Sequence, residues 1–593
     1  MQHRLSRIKI ENFRSCSSVD LPLDFYTPLV GQNNSGKSTI LEAIRWLIKP
    51  AALTAQDYSD PSKSIVISGL IEGLNEKILE RVPDKKHRAA ITPCCPGGIL
   101  WIRVSVQPGK SKDFKQEIWD HEQTTPETFP EEWRDYTTGI PQAVSAILPE
   151  PLMIRAMKDV AKDFTSMTAG TSIKSLIEAI AEPITAVHKV EIENSLNAIN
   201  KLLAGEEGHR SQALVDFDKK ASEVVADFFP GLDLRLELPE TKLKEFFKSG
   251  SLKIKEAGRE KWTEFEQLGS GAQRSIEMAL IRYLADEPAS VENPPCKLLL
   301  IDEPELYLHP QGVRRIQRAL NALSKKGFQV IFSTHSPIML DRENTAQTIV
   351  VNKKNSVGTF TRIPLREAVD KAVEAGASQT RVLFQLGNLA EIYFADTVVI
   401  CEGKTDNRLL PLAYERHYGN APEHDHIAFV SLGSCADIPK GMAVLNAMGI
   451  KVRAVADLDF AFTEATKGDG AMVDKNGPDM NEVKRVLGVL QGVHNFSLNG
   501  EMPCKGNDFV AADIWAILGA DPDGQKVCRK VHHILRRKDI WIWPTGCIEH
   551  VMGIGHKGEE AIMEQEEILR NMSKEDAIKT HPALVDCFEW VRA

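Results

Sequence analysis

A chain of 593 residues is longer than one hydrophobic core usually serves, so several domains are expected. Its 42% hydrophobic and 26% charged content is that of an ordinary globular protein, and no apolar run approaches the length of a membrane span. A net charge of −10 argues against a uniformly basic coat for indiscriminate DNA binding, while leaving room for a local basic groove.

The ten cysteines are scattered without any Cys-x-x-Cys pair. Cys94 and Cys95 are adjacent, which suits neither a zinc site nor an ordinary disulfide. Ile8 to Phe13 reads as a strand rather than a signal peptide, so reduced thiols in the cytoplasm are expected.

In chain order, residues 4–13 and 26–31 read as strands, the second running into a glycine-rich loop. Thr39 to Ile48 reads as a helix, with Ile40, Leu41, Ile44 and Leu47 at helical spacing. Strands follow at 64–72 and 99–107, and residues 108–150 read as an irregular surface excursion. From 152 to 230 the pattern is helical, punctuated by Pro183 and Pro230. Strand character returns at 232–238 and 252–256, then as buried strands at Lys297–Ile301 and Gln329–Ser333. Residues 364–392 read as a helical connector, and an α/β segment opens at Thr397. The expected organisation is one α/β head split into 1–165 and 251–375, a helical insertion over 166–250, and a second α/β domain over 390–593.

Gly31-Gln-Asn-Asn-Ser-Gly36-Lys37-Ser38 fits G-x-x-x-x-G-K-[ST] between a strand and a helix. Its glycines let backbone N–H groups of Asn33, Asn34, Ser35 and Thr39 turn toward phosphates. Lys37 would reach the β and γ oxygens, and Ser38 would ligate Mg²⁺. Lys297 to Glu303 is an apolar strand ending in two acids. Asp302 would serve the metal shell and Glu303 the attacking water. By itself, that pattern is equally a strand end with a turn.

Leu268-Gly-Ser270-Gly271-Ala-Gln273-Arg274 precedes a helix and resembles the ABC signature, which faces the γ-phosphate of an opposite subunit. A capping turn is the plain alternative. His335, after the next strand, resembles the switch histidine of such heads. Loop, signature, acid pair and histidine occur in the order used by ABC-type ATPases, which implies two ATP molecules sandwiched in a homodimer. Ile10-Glu-Asn-Phe13-Arg14-Ser resembles the first strand of RecF- and SMC-type heads, although the insertion lacks the heptads of a long coiled-coil arm.

A second constellation follows. Val398 to Cys401 is a buried strand leading into Glu402-Gly403-Lys-Thr-Asp406. Val452 to Ala456 is another, ending in Asp457-Leu-Asp459. In a parallel sheet both acidic ends emerge at one edge. Clustered carboxylates repel unless they share cations, and hard oxygen ligands select Mg²⁺ or Mn²⁺. Phosphodiester transfer uses such clusters. The plain alternative is acidic turns at strand ends.

Glu402-Gly403 followed by Asp457-x-Asp459 is similar to a Toprim domain, and an ABC head joined to a C-terminal Toprim resembles the OLD (overcoming lysogenization defect) family. The resemblance implies an ATP-hydrolysing, Mg²⁺-dependent DNA nuclease with a helical dimerisation insert and a role in phage interference or defence. It implies metal ligation by Glu402, Asp406, Asp457 and Asp459, with Glu549 of Gly546-Cys-Ile-Glu549 as a further ligand. Relatives occur alone, with a helicase-like partner, or with a reverse transcriptase.

Many relatives place a lysine before that glycine, where this chain has Thr545. Either Lys538, Lys557, Arg536 or Arg537 substitutes, or activity is weaker. Asp508 and Asp513 both fall where relatives carry an additional metal-site acid. The basic segment 526–538 is either a phosphate-tracking surface or a solvated amphipathic helix. Thr545 also keeps open a DNA-structure sensor that binds DNA and metal without cutting. A topoisomerase would need a nucleophilic tyrosine, and none of the eight tyrosines has a recognisable context.

Overall fold

The computed structural model describes residues 3–110, 112–119, 132–148, 151–156, 190–203, 210–226, 236, 252–255, 260–286, 297–340, 345–354, 356–374, 381–382, 385–386, 390–468, 470–506, 508–555 and 558–593. The chain divides into two units. One comprises Met1–Thr27 with Gly36–Met339, and the other Pro28–Ser35 with Leu340–Ala593.

The first unit opens with β1 (Arg4–Phe13) and β2 (Cys16–Pro22), paired antiparallel. After β3 (Tyr26–Val30) and helix α1 (Lys37–Ile48) come β4 (Ile65–Glu72), β5 (Leu100–Val106), β6 (Phe114–Trp119) and β7 (Trp133–Asp135). They form an antiparallel sheet in the order β2-β1-β4-β5-β6-β7. Ile8 and Ile10 alternate with half-buried Lys9 and Glu11, so one face of β1 enters the core. Ile40, Leu41, Ile44 and Leu47 of α1 are buried, as the helical spacing predicts. Gly69 in β4 makes room for them, since a Cβ there would lie 2.5 Å from Leu47 Cδ2.

A second, parallel layer contains β8 (Leu152–Ile154), which pairs with β11 (Lys297–Asp302), which pairs in turn with β12 (Phe328–Thr334). Between them in sequence, β9 (Lys253–Ile254) and β10 (Thr263–Glu264) form a short antiparallel pair. Helices α2 (Ser270–Asp286) and α3 (Pro310–Ser324) pack Met278, Ile281, Val313, Ile316 and Leu320 against Leu299, Ile301, Val330 and Phe332.

The second unit pairs Leu29 and Val30 of β3 in parallel with β13 (Ile349–Lys354), which pairs antiparallel with β14 (Gly358–Thr361). Its main sheet is four-stranded and parallel: β15 (Thr397–Cys401), β16 (Ile427–Ser431), β17 (Lys451–Ala456) and β20 (Ile540–Ile542), in the order β16-β15-β17-β20. A small hairpin, β18 (Leu498–Asn499) with β19 (Met502–Pro503), lies between β17 and β20 in sequence. Alternate residues of the main sheet feed two cores. Val398, Ile400, Ala454, Ala456 and Ile542 belong to one. Val399, Cys401, Val455 and Trp541 belong to the other. Helices cover both faces, as a parallel sheet requires. The order reverses between β15 and β17, and ligand crevices of open α/β sheets form at such switch points.

The stretch expected as an irregular excursion instead contains β6, β7 and the helix Ile140–Ile147. Charge hid it. Glu117 is only 2% exposed in β6, yet it is neutralised by Arg103 and Lys115 at 2.7 Å each. Leu152 to Ile154, expected as helix, is strand β8, because three apolar residues carry no period and pairing with β11 decides. Within the insertion the described residues are helical at 190–203 and Gln212–Ala226, while most of 166–250 lies outside them. The strand expected at 232–238 also falls outside, apart from Leu236. The connector holds the helix Leu365–Ala372 and a short turn of helix at Ala390–Tyr393.

Candidate functional site

In the first unit, Gly36 sits at φ 107° as the N-cap of α1, a left-handed conformation that glycine adopts freely. Lys37 follows and is almost fully buried. Burial lowers its pKa to about 8, against the opposing pull of Glu303, Asp302 and Glu305. Ser38 Oγ donates to Asp302 Oδ1 at 2.9 Å, and Ser333 Oγ donates to the same oxygen. The loop's serine and the acid at the end of β11 therefore meet, which is the pairing that would hold a nucleotide-bound divalent ion.

Glu303 has φ 50°, and its N–H donates to Ser333 Oγ at 3.0 Å. Its carboxylate lies 3.4 Å from His335 Nε2. That hydrogen bond is the main reason its pKa falls below the ordinary value. His335 is held in turn by its own N–H, which donates to Glu305 Oε1 at 2.7 Å. In the second unit, Gly31 has φ 148°, and a Cβ there would come within 2.0 Å of Val351 O. Asn34 is also left-handed at φ 63°, and Thr359 Oγ1 donates to Ser35 O at 2.8 Å. Asn33, Gly36 and Thr39 complete the stretch that the sequence assigns to phosphate.

One residue was not singled out by motif reasoning. Arg274 is fully buried, and its Nη2 donates to the carbonyls of Asp302 at 2.7 Å and Glu303 at 2.8 Å. Nη1 bonds Glu277 at 3.2 Å. Arg274 thus ties the segment carrying Ser270 and Gly271 to the acid pair. Gln273 Nε2 donates to Phe265 O at 3.1 Å and so braces the segment's entry. A buried arginine inside a helix beginning Ser-Gly-Ala-Gln was the available signal.

In the second unit, Glu402 directly follows the end of β15 and Asp457 directly follows the end of β17. Asp457 N–H donates to Glu402 Oε2 at 2.9 Å. Glu402, Asp457 and Asp459 each bring a carboxylate oxygen within 4.8 Å of the others. After β20, Gly546 at φ 125° reverses the chain, and its carbonyl accepts from Leu458 N–H at 2.7 Å. That turn carries buried Glu549 to Asp457, and these two form a second group with Cys547. Burial, then Asp457 and Glu549, push the Cys547 thiol well up. Cys435 is pushed up to about 12 by burial and by Glu402, Asp459 and Glu464.

Other sequence expectations are placed differently. Asp406 lies on the first turn of α4 (Lys404–Tyr418), where its Oδ2 accepts from Gly403 N–H at 3.2 Å. It joins neither carboxylate group, because as the third residue of that helix it turns back onto its own cap. Asp513 likewise caps α5 (Ala511–Ala520) by accepting from Val510 N–H, and Asp508 is exposed. Neither joins a group. Arg536, Arg537 and Lys538 precede β20 and so lie at the edge opposite the carboxylates. Lys557 is outside the described residues. Helix α6 (Pro522–Arg536) buries Val527, Cys528, Val531 and Leu535, while Lys530 pairs with Asp479 and Lys526 with Asp523. This is the solvated amphipathic reading of the basic segment.

A family model described as overcoming lysogenization defect protein-like, TOPRIM domain, matches residues 393–459. An AAA ATPase domain matches 4–93, and an AAA domain (AbiEii toxin, type IV TA system) matches 137–341. The Old nuclease of Escherichia phage P2 is 30% identical over 570 residues, 94% of each chain. The chain belongs to the OLD nuclease family. Within that family it also resembles the OLD nuclease of Thermus scotoductus, 24% identical over 77% of this chain and 82% of that one. A solved Smc head bound to the C-winged helix domain of ScpA aligns with TM-score 0.35 at 19% identity, covering 61% of this chain and 98% of that one. The SMC head domain from Thermotoga maritima aligns with TM-score 0.29 at 15% identity, covering 63% and 100%.

This OLD-family chain therefore joins AAA ATPase domains to a C-terminal Toprim domain, and it uses a nucleotide and a divalent metal. Among the described residues, no helix is long and apolar enough to cross a membrane.

Proposed function

We propose that this chain is a Mg²⁺- or Mn²⁺-dependent DNA endonuclease, with exonuclease action also open to it, whose cutting is set by ATP and which acts in phage defence or interference. The observation that carries it is the convergence of Glu402, Asp457 and Asp459 at the switch point of a parallel sheet. An all-oxygen donor set with atoms within 4.8 Å of one another suits hard cations. Bound there, such ions supply an activated nucleophile and neutralise the leaving oxygen. The chain's part is to hold the carboxylates rigid. Asp457 N–H fixes Glu402, and the Gly546 turn sets Glu549 beside Asp457.

In the head, Ser38 and Asp302 would hold the nucleotide's metal, and Lys37 would face its phosphates. Glu303, aimed by His335, would polarise the attacking water. Ser270 and Gly271 would complete the site of a second copy, with the 166–250 insertion supporting a homodimer or higher oligomer. Such a chain would act alone, or with a helicase-like or reverse-transcriptase partner.

A second reading, a DNA-structure sensor that does not cut, is favoured by Thr545. Lys538, Arg536 and Arg537 do not lie at the carboxylate edge to replace the lysine that relatives have there. Supercoiled plasmid with purified chain and Mn²⁺ separates the two. Nicked circles support the nuclease, whereas intact plasmid beside robust ATP turnover supports the sensor.

A further inference from the structure

Helices α2 and α3 of the first unit pack against each other, and a groove of about 560 Å³ is lined by Arg282, Arg315, Arg318, Ala319 and Ala322. Helical spacing explains the lining. Arg315, Arg318, Ala319 and Ala322 follow i, i+3, i+4 and i+7, so they share one face of α3. Arg282 enters the same space from α2. The three arginines are exposed, while Ala319 is buried and closes the floor. Among the described residues, no acid lines this groove and no carboxylate pairs with Arg315 or Arg318. The basic helix α6 differs, because its Lys530 and Lys526 are neutralised by Asp479 and Asp523.

A cleft lined by one sign of charge focuses its field on a ligand of the other sign. The chain as a whole carries −10, so this groove is a local exception. Guanidinium forks match phosphate oxygens two at a time. Small-molecule sites enclose most of their ligand, whereas these arginines stand exposed on two helices and suit successive phosphates along a polymer. The alanine floor leaves room for a broad backbone to approach. We infer that the groove between α2 and α3 binds the phosphate backbone of duplex DNA, giving the ATPase head a DNA contact of its own. Backbone contacts carry no sequence information, so this contact is sequence-independent and salt-sensitive. The choice of DNA rests on the nuclease reading above, but the groove's preference for a phosphate polymer does not.

The test measures fluorescence anisotropy of a short labelled duplex with the full-length chain in EDTA, so that binding is read without cutting. Log affinity of the unmodified chain should fall linearly with log salt. Arg315→Ala combined with Arg318→Ala should weaken binding equally on duplexes of unrelated sequence and reduce the slope by about 0.9 per arginine. Arg315→Lys with Arg318→Lys keeps the charge and should keep the slope. ATP turnover without DNA should match the unmodified chain in both variants, which reports an intact head. Unmoved affinity and slope in the alanine pair overturn the groove. Displacement of the duplex by equimolar tripolyphosphate also overturns it, assigning the arginines to a small phosphate ligand. A second measurement needs no variant: the duplex should protect Arg315 and Arg318 of the unmodified chain from phenylglyoxal, read by mass spectrometry, and equal modification with and without duplex overturns the contact. Binding through the arginines without plasmid nicking in Mg²⁺ leaves the groove standing and removes the nuclease reading. Nicking by a chain whose affinity ignores the arginines removes the groove alone.

Discussion

The backbone N–H of Asp457 donates to Glu402 Oε2 across 2.9 Å, tying the ends of β17 and β15 together. The two acids are 55 residues apart in the chain, yet parallel pairing of Cys401 with Val455 brings them to one edge. Either alone would be an ordinary strand end.

Replacing Glu402 or Asp457 by alanine should therefore abolish metal-dependent nicking. The loss should exceed the roughly 10–100-fold typical of an outer-shell partner. ATP turnover should be retained, because the ATPase residues belong to other elements. Phosphate release and plasmid nicking, measured on the same preparations, check this. Nicking that survives in either variant would sink the assignment.

Glu303 and His335 form the corresponding pair in the head. Glu303→Gln should slow ATP hydrolysis by about 10²–10⁴-fold while nucleotide binding persists. His335 holds Glu303 below its ordinary pKa of 4.5. Its removal should let Glu303 take up a proton at higher pH, shifting the acid limb of the ATPase profile upward. A profile with an unmoved acid limb in His335→Ala would contradict the pairing.

Burial lowers the Lys37 pKa to about 8 because it disfavours the charged form. Phosphate oxygens favour the charged form and should raise that pKa. Nucleotide binding above pH 8 should then take up protons, and apparent affinity should fall as pH rises through that value. Calorimetry in buffers of different ionisation enthalpy measures the uptake, which Lys37→Ala should eliminate. The same variant should lose ATP hydrolysis.

Arg274 is buried against Glu277 and two carbonyls. Arg274→Ala leaves Glu277, whose carboxyl burial already pushes its pKa up, without its counter-charge. The expected cost is about 3–5 kcal/mol, read from urea unfolding. Adding Glu277→Gln should recover part of it. No recovery would show that the carbonyl contacts, not the ion pair, dominate.

Gly546→Ala should impair nicking and spare ATP hydrolysis. At φ 125° the alanine strains the backbone by about 1–3 kcal/mol and crowds Ala516, displacing Glu549. Nicking equal to the unmodified chain would separate Glu549 from the chemistry.

By itself, the sequence determined the phosphate loop, the acid pair, the signature segment and the Glu402 and Asp457-x-Asp459 motifs. Each is local, a strand period followed by a turn of fixed chemistry, so each is legible without distant contacts. The tertiary structure decided what depends on neighbours far along the chain. Pairing with β11 made Leu152–Ile154 a strand, and cross-strand cations allowed Glu117 into β6. Helical rise returned Asp406 to its own cap, while the Gly546 turn brought Glu549 and Cys547 to Asp457. Arg274 acquired its role only when β11 folded beneath its helix and offered the carbonyls of Asp302 and Glu303. Spacing along a chain records which residue types are present. Distances of a few ångströms between residues hundreds of positions apart are set by sheet register and side-chain packing.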